Sequence, residues 1–206
     1  MTDTIDAVLD VVAETAPDVR GGLAGRRVYD SGANPSGERQ LEADVYADEL
    51  LAERLLDIDA VGGYASEERE SVLTGDGTYY VAVDPLDGSS NLRSNNTMGT
   101  IFAVYDEPLP ASGAALLASG FVLYGPITTM VTARDGVVTE AVIEDDGSRQ
   151  VVDPDVTLPE EPTVYGFGGR VPNWTGAFSA YVERVESELK LRYGGAMIGD
   201  VNQVLT

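Results

Sequence analysis

The stretch VAVDPLDGSSNL, residues 81–92, runs an apolar segment into two aspartates three apart, a glycine, two serines and an asparagine. Asp84 and Asp87 are hard oxygen ligands. Just past the carboxyl end of a buried strand at 79–83, they would stand where α/β and mixed sheets commonly bind ligands. Pro85 fixes the turn, and Gly88 lets the backbone approach a ligand closely. Ser89, Ser90 and Asn91 are good helix N-caps, and free N–H groups there would cradle a phosphate. Two oxygen ligands beside an anion cradle describe a magnesium–phosphate site. An acidic turn capped by Ser and Asn accounts for the same twelve residues equally well.

Glu67 and Glu68 follow the short apolar AVGGYA (60–65), and Asp44 lies between Leu41 and Val45. Alone, each is weak: Glu-Glu pairs are common on solvated helix faces. Together with Asp84 and Asp87 they make five carboxylates from three segments. Two unit charges about 4 Å apart repel by about 4 kcal/mol at an effective dielectric near 20. Five converging carboxylates therefore need cations, or some must be protonated.

These side chains need elements to carry them. Residues 3–16, with Ile5, Val8 and Val12 at helical spacing and Pro17 as a stop, read as a helix. Residues 20–38, rich in Gly, Ser, Asn and Pro, read as a mobile loop. A second helix spans 40–56 with Leu41, Val45, Ala52, Leu55 and Leu56 on one stripe, and Asp44 at its edge. Strands are expected at 78–84, 99–106, 116–125 and 128–136, followed by a hairpin turning at Asp146-Gly147. The acidic, proline-bearing 151–162 reads as a linker. A strand at TVYGFGG, a helix near 175–190 and the start of another in GGAMIGDVNQVLT follow. This divides the chain into 1–160 and 161–206, the second too short to build its own core.

The chain has 206 residues, 43% of them apolar, and no histidine or cysteine. That excludes phosphohistidine and phosphocysteine chemistry, serine–histidine triads and the usual zinc sites. Catalysis within these residues must use carboxylates, hydroxyls, arginines and metal-bound water. No apolar run approaches the roughly 18 residues of a membrane span, and the acidic N-terminus lacks a basic leader. A cytoplasmic location is expected, consistent with the missing cysteines. Thirty-five acids face thirteen bases, a net charge of −22, and Lys190 is the one lysine. Such a surface repels nucleic acid and anionic membranes. Its composition is similar to that of proteins from extreme halophiles, where concentrated salt screens the repulsion.

DPLDGSSN (84–91), preceded by SEE (66–68) and by Asp44-Val45, resembles the class I fructose-1,6-bisphosphatases, within the superfamily that includes inositol monophosphatases. GTIFAVYD (99–106), ASGFVLYGPITTMV (118–131) and LRYGGAMIGDV (191–201) look like family segments in the family's order. The resemblance covers about residues 38–206. It implies a layered αβαβα sugar-phosphatase fold, α+β or α/β in class, here lacking the end of its second domain. The N-terminal domain, 1–160, would carry the metal site, and 161–206 would begin a C-terminal α/β domain.

The resemblance also implies roles. Glu67, Asp84, Asp87 and the carbonyl of Leu86 would bind two or more Mg2+, with Mn2+ a substitute. Asp44 and Glu68 would hold and deprotonate the attacking water, and Glu38 would join them when the 20–38 loop closes. Gly88, Ser89 and Ser90 would grip the 1-phosphate of fructose 1,6-bisphosphate. Arg192, from a neighbouring subunit of a homodimer or homotetramer, and Tyr193 would bind the 6-phosphate, and Met197 would lie near the sugar. The reaction so implied is in-line attack of water on phosphorus, giving fructose 6-phosphate and phosphate. Inositol phosphate hydrolysis, a broader sugar-bisphosphatase and a non-catalytic metal and sugar-phosphate binding module are the alternatives.

Departures from the family pattern are visible. Phe167 stands where an asparagine is common and Arg170 where a tyrosine is, though Arg170 would still serve a phosphate. Thr78-Tyr79 replaces the Lys-Tyr pair used for AMP inhibition in animal relatives. A further glutamate ligand and a substrate-binding lysine are expected from a later segment. The nominal Asp-x-Asp-x-Thr of DPDVT (153–157) sits in the acidic linker rather than after a buried strand, so it reads as chance.

The charge generates a prediction. The Debye length falls from about 10 Å at 0.1 M salt to about 3 Å at 1 M. The melting temperature should therefore rise over that range, and scanning calorimetry showing it fall would contradict the reading of the surface.

Overall fold

The computed structural model of the chain describes residues 4–33, 35 and 39–205. Helix α1 (Thr4–Leu23) turns Ile5, Val8, Val12, Ala16, Val19 and Leu23 inward. The sequence reading stopped this helix at Pro17, but it runs through. Proline removes one bond from the helix ladder. Burial of Val19 and Leu23 offsets that loss. So does Arg20, which donates to the Gly125 carbonyl at 2.9 Å and to the Thr128 hydroxyl at 2.5 Å. Residues 20–23 thus belong to the helix, and part of the expected loop pairs as antiparallel strands β1 (Tyr29–Ala33) and β2 (Arg39–Leu41).

Helix α2 (Glu42–Leu56) packs beside α1. Its buried face is Ala43, Asp44, Ala47, Asp48, Leu51, Ala52 and Leu55, while Val45 and Leu56 are half-buried. The expected apolar stripe is therefore interrupted by two aspartates one helical turn apart.

Both helices cover one face of an eight-stranded sheet. Its strands are β3 (Val61–Ser66), β4 (Leu73–Thr74), β5 (Tyr79–Asp87), β6 (Met98–Tyr105), β7 (Leu116–Tyr124), β8 (Thr128–Arg134), β9 (Val137–Ile143) and β10 (Arg149–Asp153). They lie in the order β10-β9-β8-β7-β6-β5-β3-β4. β3 and β5 run parallel, and every other neighbouring pair of this sheet is antiparallel. Met98, Thr100, Phe102 and Val104 alternate toward the helices and join Val81, Val122 and Met130 in the core. Arg134–Asp6 and Arg149–Asp10 ion pairs tie the far strands to α1. The hairpin turns at Asp146-Gly147 as the sequence suggests, with Gly147 at φ +82°.

After residue 160 the chain forms β11 (Val164–Tyr165), α3 (Gly176–Glu186), β12 (Lys190–Leu191), parallel to β11, and α4 (Met197–Leu205). Thr175 caps α3 by accepting from Phe178 N at 3.2 Å. Phe167 packs its ring against Phe178 at 5.1 Å and Trp174 at 6.4 Å. This aromatic packing is the local use of the residue that departs from the family's asparagine. Helix α4 lies on β6 and β7 and also touches β11. Gly99 alternates away from the core side chains of β6, so α4 covers the face opposite α1 and α2. The resulting layers are helix, sheet, helix, sheet, an α+β arrangement.

Gly99 sets how closely α4 approaches. A Cβ there would overlap the Val122 carbonyl oxygen and Cδ1 of buried Ile198, whereas at Gly113 it would meet nothing. Gly99→Ala should lose about 1–3 kcal/mol by overpacking. Gly113→Ala should stay within about 0.5 kcal/mol. Urea unfolding in concentrated salt checks both, and equal midpoints would contradict the packing described.

Candidate active site

The parallel pairing of β3 and β5 brings their carboxyl ends to the same edge. Their register sets Ala65 beside Ala82 and Ser66 beside Val83. One step further, Glu67 meets Asp84. The two side chains hydrogen-bond, and one carboxyl must be protonated for that bond to form. Burial, then the charge of Glu67 and the bond to it, then Asp87, push the Asp84 carboxyl up to about 8. Leu86 N, donating to Asp84 Oδ1 at 3.1 Å, opposes this only in part.

Asp84 and Asp87 were expected just past the strand, but β5 continues through both. Asp84 pairs with Ile101 and Asp87 with Gly99, so two residues of β5 oppose Thr100 alone. Residues three apart in a regular strand point to opposite faces. The extra residue of this bulge resets the alternation, and Asp87 joins Asp84 on one side. Pro85, which has no N–H to donate, fits such an irregularity. Its carbonyl accepts from Thr100 Oγ1 at 2.9 Å, and the Tyr124 hydroxyl stands 2.9 Å behind Thr100. Both residues are buried, so the bulge is held by a closed polar chain.

Asp87 Oδ2 accepts from Ile198 N at 2.8 Å, and Met197 N also donates to this carboxylate. Burial nevertheless raises its pKa, with Asp200 adding to the rise. The expected place of Met197 near a sugar is thus joined by a structural task for its N–H.

Gly88 precedes a 3-10 turn, Ser89–Arg93, rather than a full helix. It has φ +74°, and a Cβ on it would overlap Ala196. The cap is Gly88 with no side-chain bond, so Ser89, Ser90 and Asn91 are not the N-caps the sequence suggested. The leading N–H groups of such a turn have no partner within it. Asn91 instead donates to the carbonyls of Thr97 and Gly194, each at 2.9 Å, stitching this turn to the approach of α4.

Asp44 is buried at the start of α2, where its Oδ2 accepts from Leu41 N at 2.6 Å, a carboxylate placed favourably at a helix N-terminus. Glu68 shares the turn with Glu67, its N–H donating to Ser66 Oγ at 3.1 Å. Arg192 and Tyr193 follow β12 and, with Tyr165, Gly166, Met197 and Asp200, line a cleft of about 520 Å³. Arg170 is exposed and does not line it. Glu38 lies outside the described residues. Sequence reasoning missed Asp48, buried one turn after Asp44 and facing Tyr64 and Arg69. Its spacing from Asp44 was the available signal.

Among the described residues no three acidic side chains close into a ready-made cage. Magnesium does not require one: it is commonly held by one or two carboxylates together with waters and phosphate oxygens. A proton-sharing carboxylate pair beside a third carboxylate fits a divalent cation, because the cation replaces the proton.

Residues 20–154 match the family model of the fructose-1-6-bisphosphatase N-terminal domain, and 158–206 that of the C-terminal domain. Fructose-1,6-bisphosphatase class 1 of Natronomonas pharaonis is 74% identical over 100% of this chain and 74% of its own length. The Halobacterium salinarum protein of the same name is 58% identical over 100% of this chain and 72% of its own. The holo crystal structure of Leishmania major fructose-1,6-bisphosphatase superposes with a TM-score of 0.84 at 25% identity, covering 98% of this chain and 69% of that one. A putative sedoheptulose-1,7 bisphosphatase from Toxoplasma gondii shares the fold, with a TM-score of 0.86 at 24% identity over 100% of this chain and 72% of that one. The chain belongs to the class 1 fructose-1,6-bisphosphatase family.

Proposed function

We propose that the chain hydrolyses the 1-phosphate of fructose 1,6-bisphosphate, releasing fructose 6-phosphate and inorganic phosphate. The observation that carries this reading is the hydrogen-bonded Glu67–Asp84 pair beside the glycine-led turn at 88–93. Family membership supports the substrate. Glu67, Asp84, Asp87 and the Leu86 carbonyl hold magnesium, with manganese a substitute. When bound, the cation neutralises charge developing on the transferred phosphoryl group and makes a nearby water more acidic.

The remaining steps belong to the chain's own side chains. Asp44 and Glu68 orient the attacking water and take its proton, assisted by Glu38. N–H groups of Gly88, Ser89 and Ser90 bind the 1-phosphate. Arg192 and Tyr193 bind the 6-phosphate at the cleft, with Met197 against the sugar, and Arg192 serves a neighbouring subunit in a homodimer or homotetramer. Arg170, exposed beside the aromatic cluster, adds positive charge to the approach. Uncatalysed phosphate-monoester hydrolysis is so slow that accelerations reach about 10²¹, which is why so many fixed charges converge on one phosphoryl group. The charge of −22 and the lack of cysteine support a cytoplasm of high salt, and no helix among the described residues is long and apolar enough to cross a membrane.

Phosphate release from fructose 1,6-bisphosphate with magnesium in concentrated salt tests the reading. Asp84→Ala should lower kcat by at least about 10²–10³-fold, the scale of removing one electrostatic stabiliser. Normal turnover in that variant, or faster release from inositol phosphate than from the sugar bisphosphate, would overturn the assignment.

A further inference from the structure

Glu67 and Glu68 occupy the two central positions of a turn that Arg69 N closes onto the Ser66 carbonyl at 3.2 Å. Residues on either side of this turn reach the same buried carboxylate. Tyr64, in β3, donates its hydroxyl to Asp48 Oδ1 at 2.9 Å, and Arg69 pairs with Asp48 Oδ2 at 2.6 Å. Asp48 and Tyr64 are buried, and burial with the Asp48 charge keeps the Tyr64 phenol protonated. Asp48 stands four residues after Asp44, so the two project from one face of α2.

Stability alone does not account for this cluster. Well-packed apolar side chains commonly replace a buried ion pair without loss. The buried Arg69 Nε also has no hydrogen-bond partner, so the guanidinium is not placed to satisfy all its donors. What the cluster does achieve is geometric: one carboxylate on α2 fastens both sides of the Glu67–Glu68 turn and fixes its distance from Asp44.

We infer that Asp48, Arg69 and Tyr64 are positioning residues for the reaction. They hold the Glu67–Glu68 turn where Glu67 meets the cation and Glu68 meets the water that Asp44 also handles. The inference rests on the metal-site reading of Glu67 given above. Displacements of about 1 Å can cost 10²-fold in rate, which makes such a clamp consequential.

The test measures Mn2+ affinity by electron paramagnetic resonance, kcat and KM for fructose 1,6-bisphosphate, and unfolding, all in concentrated salt. Arg69→Met should weaken Mn2+ binding and lower kcat, each about 10–100-fold, the usual cost of removing a residue that orients a metal ligand. KM should change little, since no residue of the clamp meets the sugar. Arg69→Lys, which keeps a donor for Asp48, should recover most of both losses. The pair Asp48→Asn with Arg69→Met removes the stranded buried charge and should regain stability without regaining Mn2+ affinity or kcat, and it answers the question even if Arg69→Met alone fails to fold. Recovery of stability, affinity and kcat together in that double variant would overturn the inference, as would unchanged Mn2+ affinity in it. A wild-type chain that binds no Mn2+ overturns the metal-site reading and this inference with it. Equal binding by wild type and variants overturns the inference alone.

Discussion

Glu67 and Asp84 stand side by side because β3 and β5 run parallel, and two carboxylates so placed cannot both stay charged without help. Burial raises the Asp84 pKa most, and the like charge of Glu67 beside it adds to the rise. The pair therefore holds a proton or a cation. Other features of the edge follow from keeping that choice available. Were β3 antiparallel to β5, its acidic end would lie at the opposite edge, and Glu67 would not stand beside Asp84.

Two irregularities complete the arrangement. The bulge at Pro85–Leu86 turns Asp87 to the side of Asp84, and the buried Thr100–Tyr124 pair satisfies the carbonyl that the bulge exposes. Gly88, at positive φ, then starts a 3-10 turn whose close approach to Ala196 brings α4 within reach of Asp87. The segment after residue 160 is thus fastened to β5 and the turn that follows it through backbone N–H groups of α4 and through Asn91.

Much of this was legible in the sequence because its signals are local. Alternating apolar residues marked β6, β7 and β8, Asp146-Gly147 marked the hairpin, and DPLDGSSN marked the candidate site proposed above. What escaped reading depends on distant partners. Pro17 reads as a stop until the buried Val19, Leu23 and the anchored Arg20 carry α1 past it. Asp84 and Asp87 read as turn residues because no local pattern announces a bulge, which is defined by the strand opposite. Asp48 sits at a position an amphipathic stripe would fill with an apolar residue, and its reason lies in Tyr64 and Arg69. Parallel rather than antiparallel pairing of β3 with β5, the fact on which the site depends, has no signature in either strand alone.

The most direct measurement is the proton balance of magnesium binding, obtained by calorimetric titration of the metal-free chain in buffers of different ionisation enthalpy. Burial and the neighbouring Glu67 push the Asp84 carboxyl up to about 8, so a cation taken up there as proposed would displace a proton below that value. The account predicts release of about one proton per chain near pH 6.5, little release above about pH 9, affinity that rises between them, and no such release from Asp84→Asn. Magnesium binding without proton release near pH 6.5, or release that persists in Asp84→Asn, would contradict it.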